Sequence, residues 1–305
     1  MALPVGVKVH EEWDEAQSER RKEWRRQFYE HFKTLSVDKQ VHGWDHFWRL
    51  KITPWDRHQP HPALVLALRD RHDIFADVFK RVPGKRHPRR KTALIPGCGR
   101  GYDVLLFASY GLNAVGLGAA PAAREAALRL LADPINTHHY PLMNTHAGQG
   151  EARIITGDFF STNFLSETHG ATVPDGERTF DFIYDYNFLS IIPPVFRSKW
   201  AARMSQLLAP SGYLICIEFP LGKDPAADSP PHSLSSALYE QLLARPGEEV
   251  TYDDTGRVYT DASLESAENA LVKVETWVPA STFDDQLQVG QIKVSLWKHL
   301  KAVYP

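Results

Sequence analysis

The chain has 305 residues, 43% hydrophobic and 24% charged, with a formal net charge of −2. This balance is that of a folded globular protein, and it excludes wholesale disorder and any global attraction to nucleic acid or anionic lipid. No apolar run reaches the roughly 20 residues of a membrane span, and Cys98 and Cys216 offer neither a disulfide framework nor metal-ligand spacing.

The length suits one domain with appendages. The first residues lack the basic-then-apolar pattern of a signal peptide, so a reduced, cytoplasmic setting is expected. Residues 11–33 read as an amphipathic helix in which Trp24, Phe28 and Phe32 share one face. Docking of that face on the core is favoured over a partner-binding role. The basic run Arg20, Arg21, Lys22, Arg25 and Arg26 alternates with glutamates, as a solvated face does. Residues 41–62 bring Trp44, Trp48 and Trp55 close together, with Pro54, Pro60 and Pro62 preventing a long helix. An apolar helix is expected from about Pro62 to Phe79, then a basic loop from Pro83 to Lys91.

The period changes at Thr92. Strands are expected at Thr92–Ile95, Asn113–Leu117, Ala152–Thr156, Phe180–Tyr186 and Tyr213–Phe219. Helices are expected after the first strand to about Tyr110, at Pro121–Leu131 and at Pro194–Leu208, the last stopped by Pro210 and Gly212. This alternation implies an α/β fold with a doubly wound, mostly parallel sheet. Leu271–Val278 and Gln291–Leu296 are late strand candidates. Residues 133–150 are polar, and their histidines His138, His139 and His146 lack an accompanying carboxylate or cysteine at ligand spacing, so no metal is assigned. Residues 220–281 read as a lid or cap excursion.

Between the first strand and its helix lies Pro96-Gly97-Cys98-Gly99-Arg100-Gly101-Tyr102-Asp103. Glycines there let the backbone approach a ligand at the carboxyl end of the strand. The spacing differs from a dinucleotide fingerprint, and no Gly-Lys-Ser/Thr follows for a phosphate loop. It suits a ligand without phosphate, such as the methionine moiety of S-adenosylmethionine. Purely structural glycine turns share this pattern.

Four tracts in order carry a resemblance. They are Trp44-x-x-x-Trp48 with Thr53-Pro54-Trp55-Asp56, the turn from Ile95 to Asp103, Gly157-Asp158-Phe159-Phe160, and Phe180 to Leu189. Together they resemble the thiopurine and thiol S-methyltransferase family of class I S-adenosylmethionine-dependent enzymes, over roughly residues 40–220 and the late strands. The resemblance implies a seven-stranded Rossmann-like sheet with one reversed strand, in a single domain. That domain would comprise an N-terminal helix and arm (1–62), a core (63–219), a lid (220–281) and a last strand (282–305). It also implies that Trp44, Trp48 and Trp55 fold over S-adenosylmethionine and that Gly97, Cys98 and Gly99 run beneath its methionine portion. Asp158 and Phe159 would bracket the adenine. Asp185 and Tyr186 would lie near the sulfonium and the acceptor, as the catalytic pair, with Tyr186 also packing against the cofactor.

A thiol with a pKa near 8.5 needs only modest help to become a thiolate, which Asp185 or Tyr186 could give by orienting it or accepting its proton. Cys98 reads as a small packing residue inside the turn and Cys216 as mid-strand. The expected substrate is a small-molecule thiol or another soft nucleophile of secondary metabolism; no nucleic acid or membrane partner is expected, and the oligomeric state is open. One departure stands out. The second strand ends Val115-Gly116-Leu117-Gly118, with Gly118 where this fold places the acid that grips the ribose hydroxyls. That glycine keeps two other readings open: a repurposed fold acting as isomerase, cyclase or lyase, and a non-catalytic binding protein.

Overall fold

The computed structural model describes residues 15–82, 84, 86–169, 178–225, 229–260, 265–283 and 292–303. Seven strands form a mostly parallel, Rossmann-like sheet with flanking helices, as expected. The chain divides into two compact units, Met1–Asp158 with Ser281–Asp284, and Phe159–Ala280 with Asp285–Pro305.

The first unit opens with α1 (Glu15–Lys33), α2 (Gln40–Leu50), α3 (Pro62–Asp70) and α4 (His72–Phe75). A short ladder of β1 (Phe79–Lys80) and β2 (Arg89–Arg90) follows. Then come β3 (Thr92–Pro96), α5 (Tyr102–Ser109), β4 (Asn113–Gly118), α6 (Pro121–Leu131), α7 (Asn136–His139) and β5 (Ala152–Thr156). β4 pairs in parallel with β3 on one side and β5 on the other, Val115 lying opposite both Leu94 and Arg153. Ala93, Leu94 and Ile95 are all buried, the continuous apolar run of a strand covered on both faces.

Two expectations here need correction. The helix expected over 62–79 breaks at Arg71, whose backbone (φ −97°, ψ 62°) leaves the helical region and starts α4 afresh. The basic stretch expected as a loop contributes β2, which returns antiparallel to β1 with Phe79 opposite Arg90. The Arg90 guanidinium lies 5.1 Å from the Phe79 ring centroid, a non-local contact that no window of sequence reveals.

The second unit contains α8 (Leu165–His169), β6 (Phe180–Tyr186), α9 (Phe188–Ile191), α10 (Arg197–Leu207) and β7 (Leu208–Glu218). They are followed by α11 (Ser236–Ala244), β8 (Leu271–Trp277), β9 (Lys293–His299) and α12 (Leu300–Val303). Its strands lie in the order β6-β7-β9-β8. β6 and β7 are parallel, and β9 runs antiparallel to both β7 and β8, so β9 is the reversed strand.

β7 begins at Leu208 rather than after Gly212. Its ladder with β6 jumps from Phe180↔Leu208 to Phe182↔Tyr213, so Pro210 and Gly212 bulge within the strand instead of preceding it. Part of the expected lid is also core. Ser235 caps α11 by accepting the Leu238 N–H at 3.1 Å, and Leu238, Tyr239, Leu242 and Leu243 are buried.

Candidate active site

In the first unit the arm is held by an aromatic cluster. Phe28 and Phe32 of α1 pack with Phe47 of α2, and Trp44 and Trp55 lean on them, their rings 5.1 Å apart edge to face. Phe28 and Phe32 of the face predicted on α1 therefore dock on α2. Trp48, four residues beyond Trp44 on the same helix, turns to a second surface made by Ala120, Ala123 and Ala126. The arm is also bonded to α6: the Asp45 carboxylate accepts the Ala122 N–H at 2.8 Å, satisfying a donor that the helix start leaves open.

The glycine turn follows from backbone conformation. Gly97, Gly99 and Gly101 have φ of 64°, 54° and 87°, which side-chain-bearing residues rarely adopt. A Cβ on Gly116 of β4 would lie 2.7 Å from Cys98 Sγ, so that glycine lets the turn settle against the neighbouring strand. Burial pushes the Cys98 thiol up to about 12, which fits the packing role expected of it. Buried Cys216 is pushed well above its ordinary value for the same reason.

Trp48 and the turn meet. A Cβ on Gly99 would find only Trp48 Cζ2, at 3.9 Å, and the Arg100 guanidinium lies 5.3 Å from the Trp48 ring centroid. Arg100 also pairs with Asp56, whose other carboxylate oxygen accepts the His58 N–H. Asp56 is delivered there by a turn in which its N–H bonds to the Thr53 carbonyl. The pair latches the arm to the turn. Both partners sit within the resembling tracts, yet neither tract indicates that they join.

Next to the turn, Asp103 in the first turn of α5 accepts the His61 N–H at 3.1 Å. Burial pushes its carboxyl up to about 7, opposed by that bond. A folded pKa above the unfolded value means a contribution to stability that is complete below about pH 4 and is lost as pH rises through about 7. The wild type should therefore lose melting temperature between pH 5 and pH 8 more steeply than Asp103→Asn. Calorimetric scans should show the wild type losing about 2–3 kcal/mol relative to the variant between pH 5 and pH 8. Parallel pH profiles for the two proteins would contradict the assignment.

At the end of β4, a Cβ on Gly118 would meet nothing within 4 Å, and this residue is absent from the positive-φ glycines. The turn and strand end thus present backbone and open space, the donor set of a site built for a ligand rather than a packed interior. S-adenosylmethionine fits those features. Asp158, two residues beyond β5, is exposed.

In the second unit Phe159 is buried and meets Phe188 edge-on at 5.0 Å. Arg203 of α10 pins this tract, donating to the Phe159 carbonyl at 3.1 Å and the Ser161 carbonyl at 2.9 Å. Sequence reading missed Arg203, since nothing in α10 marks one arginine among several.

Asp185 and Tyr186 end β6 as expected, and the Asp185 carboxylate lies in the interior. Asp185 is 0% exposed. Its Oδ1 accepts the N–H groups of Phe188 (3.0 Å) and Leu189 (3.3 Å), and its Oδ2 accepts Trp200 Nε1–H at 2.8 Å. Burial pushes it up to about 6 against those three bonds. It braces α9 and α10. Tyr186 is half-buried, and Asn187 after it adopts the left-handed conformation (φ 64°) that starts α9.

Comparison with known proteins agrees with this geometry. The family model described as Thiopurine S-methyltransferase (TPMT) matches residues 39–276. Among curated relatives, the "Probable thiol methyltransferase 2" of Arabidopsis thaliana is 28% identical over 256 residues, covering 84% of this chain and 93% of that one. The "Thiocyanate methyltransferase 1" of Brassica oleracea is 30% identical over 215 residues, covering 70% and 77% respectively. With the arm, the open glycine turn and the reversed β9 in place, the chain belongs to the thiopurine S-methyltransferase family and is an S-adenosylmethionine-dependent methyltransferase of small molecules.

Proposed function

We propose that the chain methylates the sulfur of a small-molecule thiol. The observation that carries this reading is the glycine turn left open to a ligand, with Trp48 beside it and the Asp56–Arg100 pair latching the arm. Relatives named for thiol, thiocyanate and thiopurine acceptors support sulfur as the nucleophile. Nothing in the fold favours a non-methylating reaction.

Bound S-adenosylmethionine supplies a methyl group already activated on sulfonium, so the protein must hold the nucleophile in line, about 3–3.5 Å away and desolvated. In this proposal Gly97, Cys98, Gly99 and Trp48 would hold the methionine portion, with Trp44 and Trp55 backing Trp48. Asp158 would accept a hydrogen bond from the adenine amine, and Phe159 would pack on the ring. Tyr186 orients the acceptor. Asp185 acts through α9, as a positioning residue rather than as the base. The two free cysteines suit a reducing, cytoplasmic setting.

Calorimetry with S-adenosylhomocysteine tests the site. One-to-one binding with a tryptophan fluorescence shift is expected, and Trp48→Ala should weaken it about 10-fold by removing the ring that borders the turn. Unchanged affinity in a folded Trp48→Ala protein would return Trp48 to a structural role.

A further inference from the structure

The inward turn of Asp185 takes that carboxylate away from the proposed thiol chemistry, and the second unit holds another at the end of a neighbouring strand. Glu218 is the last residue of β7, one strand over from β6. Because Tyr186 lies opposite Ile217, the residues that follow, Asn187 and Glu218, come to the same carboxyl edge of the sheet. Parallel sheets place ligands outside that edge.

Glu218 is 1% exposed. Its Oε2 accepts Ser236 Oγ–H at 2.6 Å, whereas its Oε1 is buried with no hydrogen-bond partner. Ser236 in turn receives Lys293 Nζ at 3.4 Å, from the β9 residue that lies opposite Glu218. One oxygen is fixed by a side-chain chain and the other is left empty. Asn187 Oδ1 is a second buried oxygen without a partner. Leaving a carboxylate oxygen buried and unsatisfied costs free energy that a folded protein ordinarily avoids. A ligand that donates a proton removes that cost. An amide can present nitrogen instead of oxygen by flipping, whereas Glu218 has only acceptors when ionised.

We propose that Glu218 Oε1 is the general base that takes the proton of the acceptor thiol, with Ser236 and Lys293 as positioning residues. This rests on the thiol-methyltransferase reading above. The thiol proton passes to Glu218 Oε1 while the sulfur electron pair forms the new S–C bond. The old bond from methyl to sulfonium breaks, its pair returning to that sulfur. Glu218 then releases the proton to solvent as the products leave.

The acceptor's own ionisation gives the test. A thiol with pKa near 8.5 is about 3% thiolate at pH 7, so losing the base should slow its methylation by up to about 30-fold. Thiocyanate has no proton to lose and gains nothing from a base. With cysteamine and thiocyanate as acceptors, Glu218→Gln should cut the cysteamine-to-thiocyanate ratio of kcat/KM by about 10- to 30-fold at pH 7. The deficit should disappear above pH 9, where the thiol ionises unaided. Equal losses for both acceptors, or a deficit that persists at high pH, would overturn the proposal.

Two further measurements guard the result. Ser236→Ala keeps the carboxylate but loosens it, and should move the same ratio in the same direction by a smaller factor; an unmoved ratio there counts against the chain. Calorimetric affinity for cysteamine relative to thiocyanate should also fall in Glu218→Gln, since the empty oxygen favours an S–H donor over an anion; an unchanged affinity ratio counts against the role. If the wild type transfers methyl to neither acceptor, the thiol-methyltransferase reading fails, while the affinity ratio still judges Glu218.

Discussion

Gly118→Asp should tighten S-adenosylmethionine binding by about 10- to 100-fold, the equivalent of a charge-assisted hydrogen bond of about 1.5–3 kcal/mol. At the end of β4 this fold places an acid for the ribose hydroxyls. Two facts favour the substitution. The added Cβ meets no atom within 4 Å, and the backbone is outside the positive-φ region where aspartate would be strained. If the wild-type pocket still receives the ribose, the new carboxylate finds partners and turnover rises at low cofactor concentration. If the pocket is shaped for something else, the carboxylate meets desolvation without compensation and activity falls. Titration calorimetry on the folded variant separates the two outcomes. Unchanged affinity would show that a lost ribose clamp is not what distinguishes this chain.

The second large effect concerns Asp185. Asp185→Asn should destabilise the protein by about 2–4 kcal/mol, because one amide cannot reproduce the bonds a carboxylate makes here. An oxygen can still accept from Phe188 and Leu189, but the amide nitrogen would then face the Trp200 N–H, donor against donor. The carboxylate is fully enclosed, so water does not repair the mismatch. Denaturant unfolding should show a lower midpoint with an unchanged slope. Turnover should fall with it, since α9 carries the segment beginning at Asn187. A variant with native stability and lost turnover would restore Asp185 to the chemistry itself.

These two residues illustrate what the sequence reveals. Gly118 was legible because it breaks a positional rule tied to a strand end, and strand ends follow from apolar runs bounded by glycine. The same logic located β3, β4, β5 and β6 within a residue or so. Local pattern failed where a distant partner decided. Arg71 looks like one more position in an apolar helix, and β2 exists only because Phe79 and Arg90 meet. α11 sits in a polar, proline-bearing stretch, and its four buried side chains show only after the chain folds. In the site, residue type and order pointed to Asp185, while the direction of its carboxylate depends on Trp200, fifteen positions away. Asp56 with Arg100, Arg203 with Phe159, and Glu218 with Ser236 are likewise pairings that spacing does not encode.

Transfer of a methyl group from S-adenosylmethionine to thiol sulfur can be followed directly. The purified protein is incubated with methyl-labelled S-adenosylmethionine and cysteamine, and the small-molecule fraction is analysed by mass spectrometry. A labelled S-methyl thioether should form, one S-adenosylhomocysteine appearing for each, with none when the protein is omitted. If S-adenosylhomocysteine binds tightly yet neither cysteamine, thiocyanate nor a thiopurine acquires the label, sulfur methylation is not the reaction of this chain.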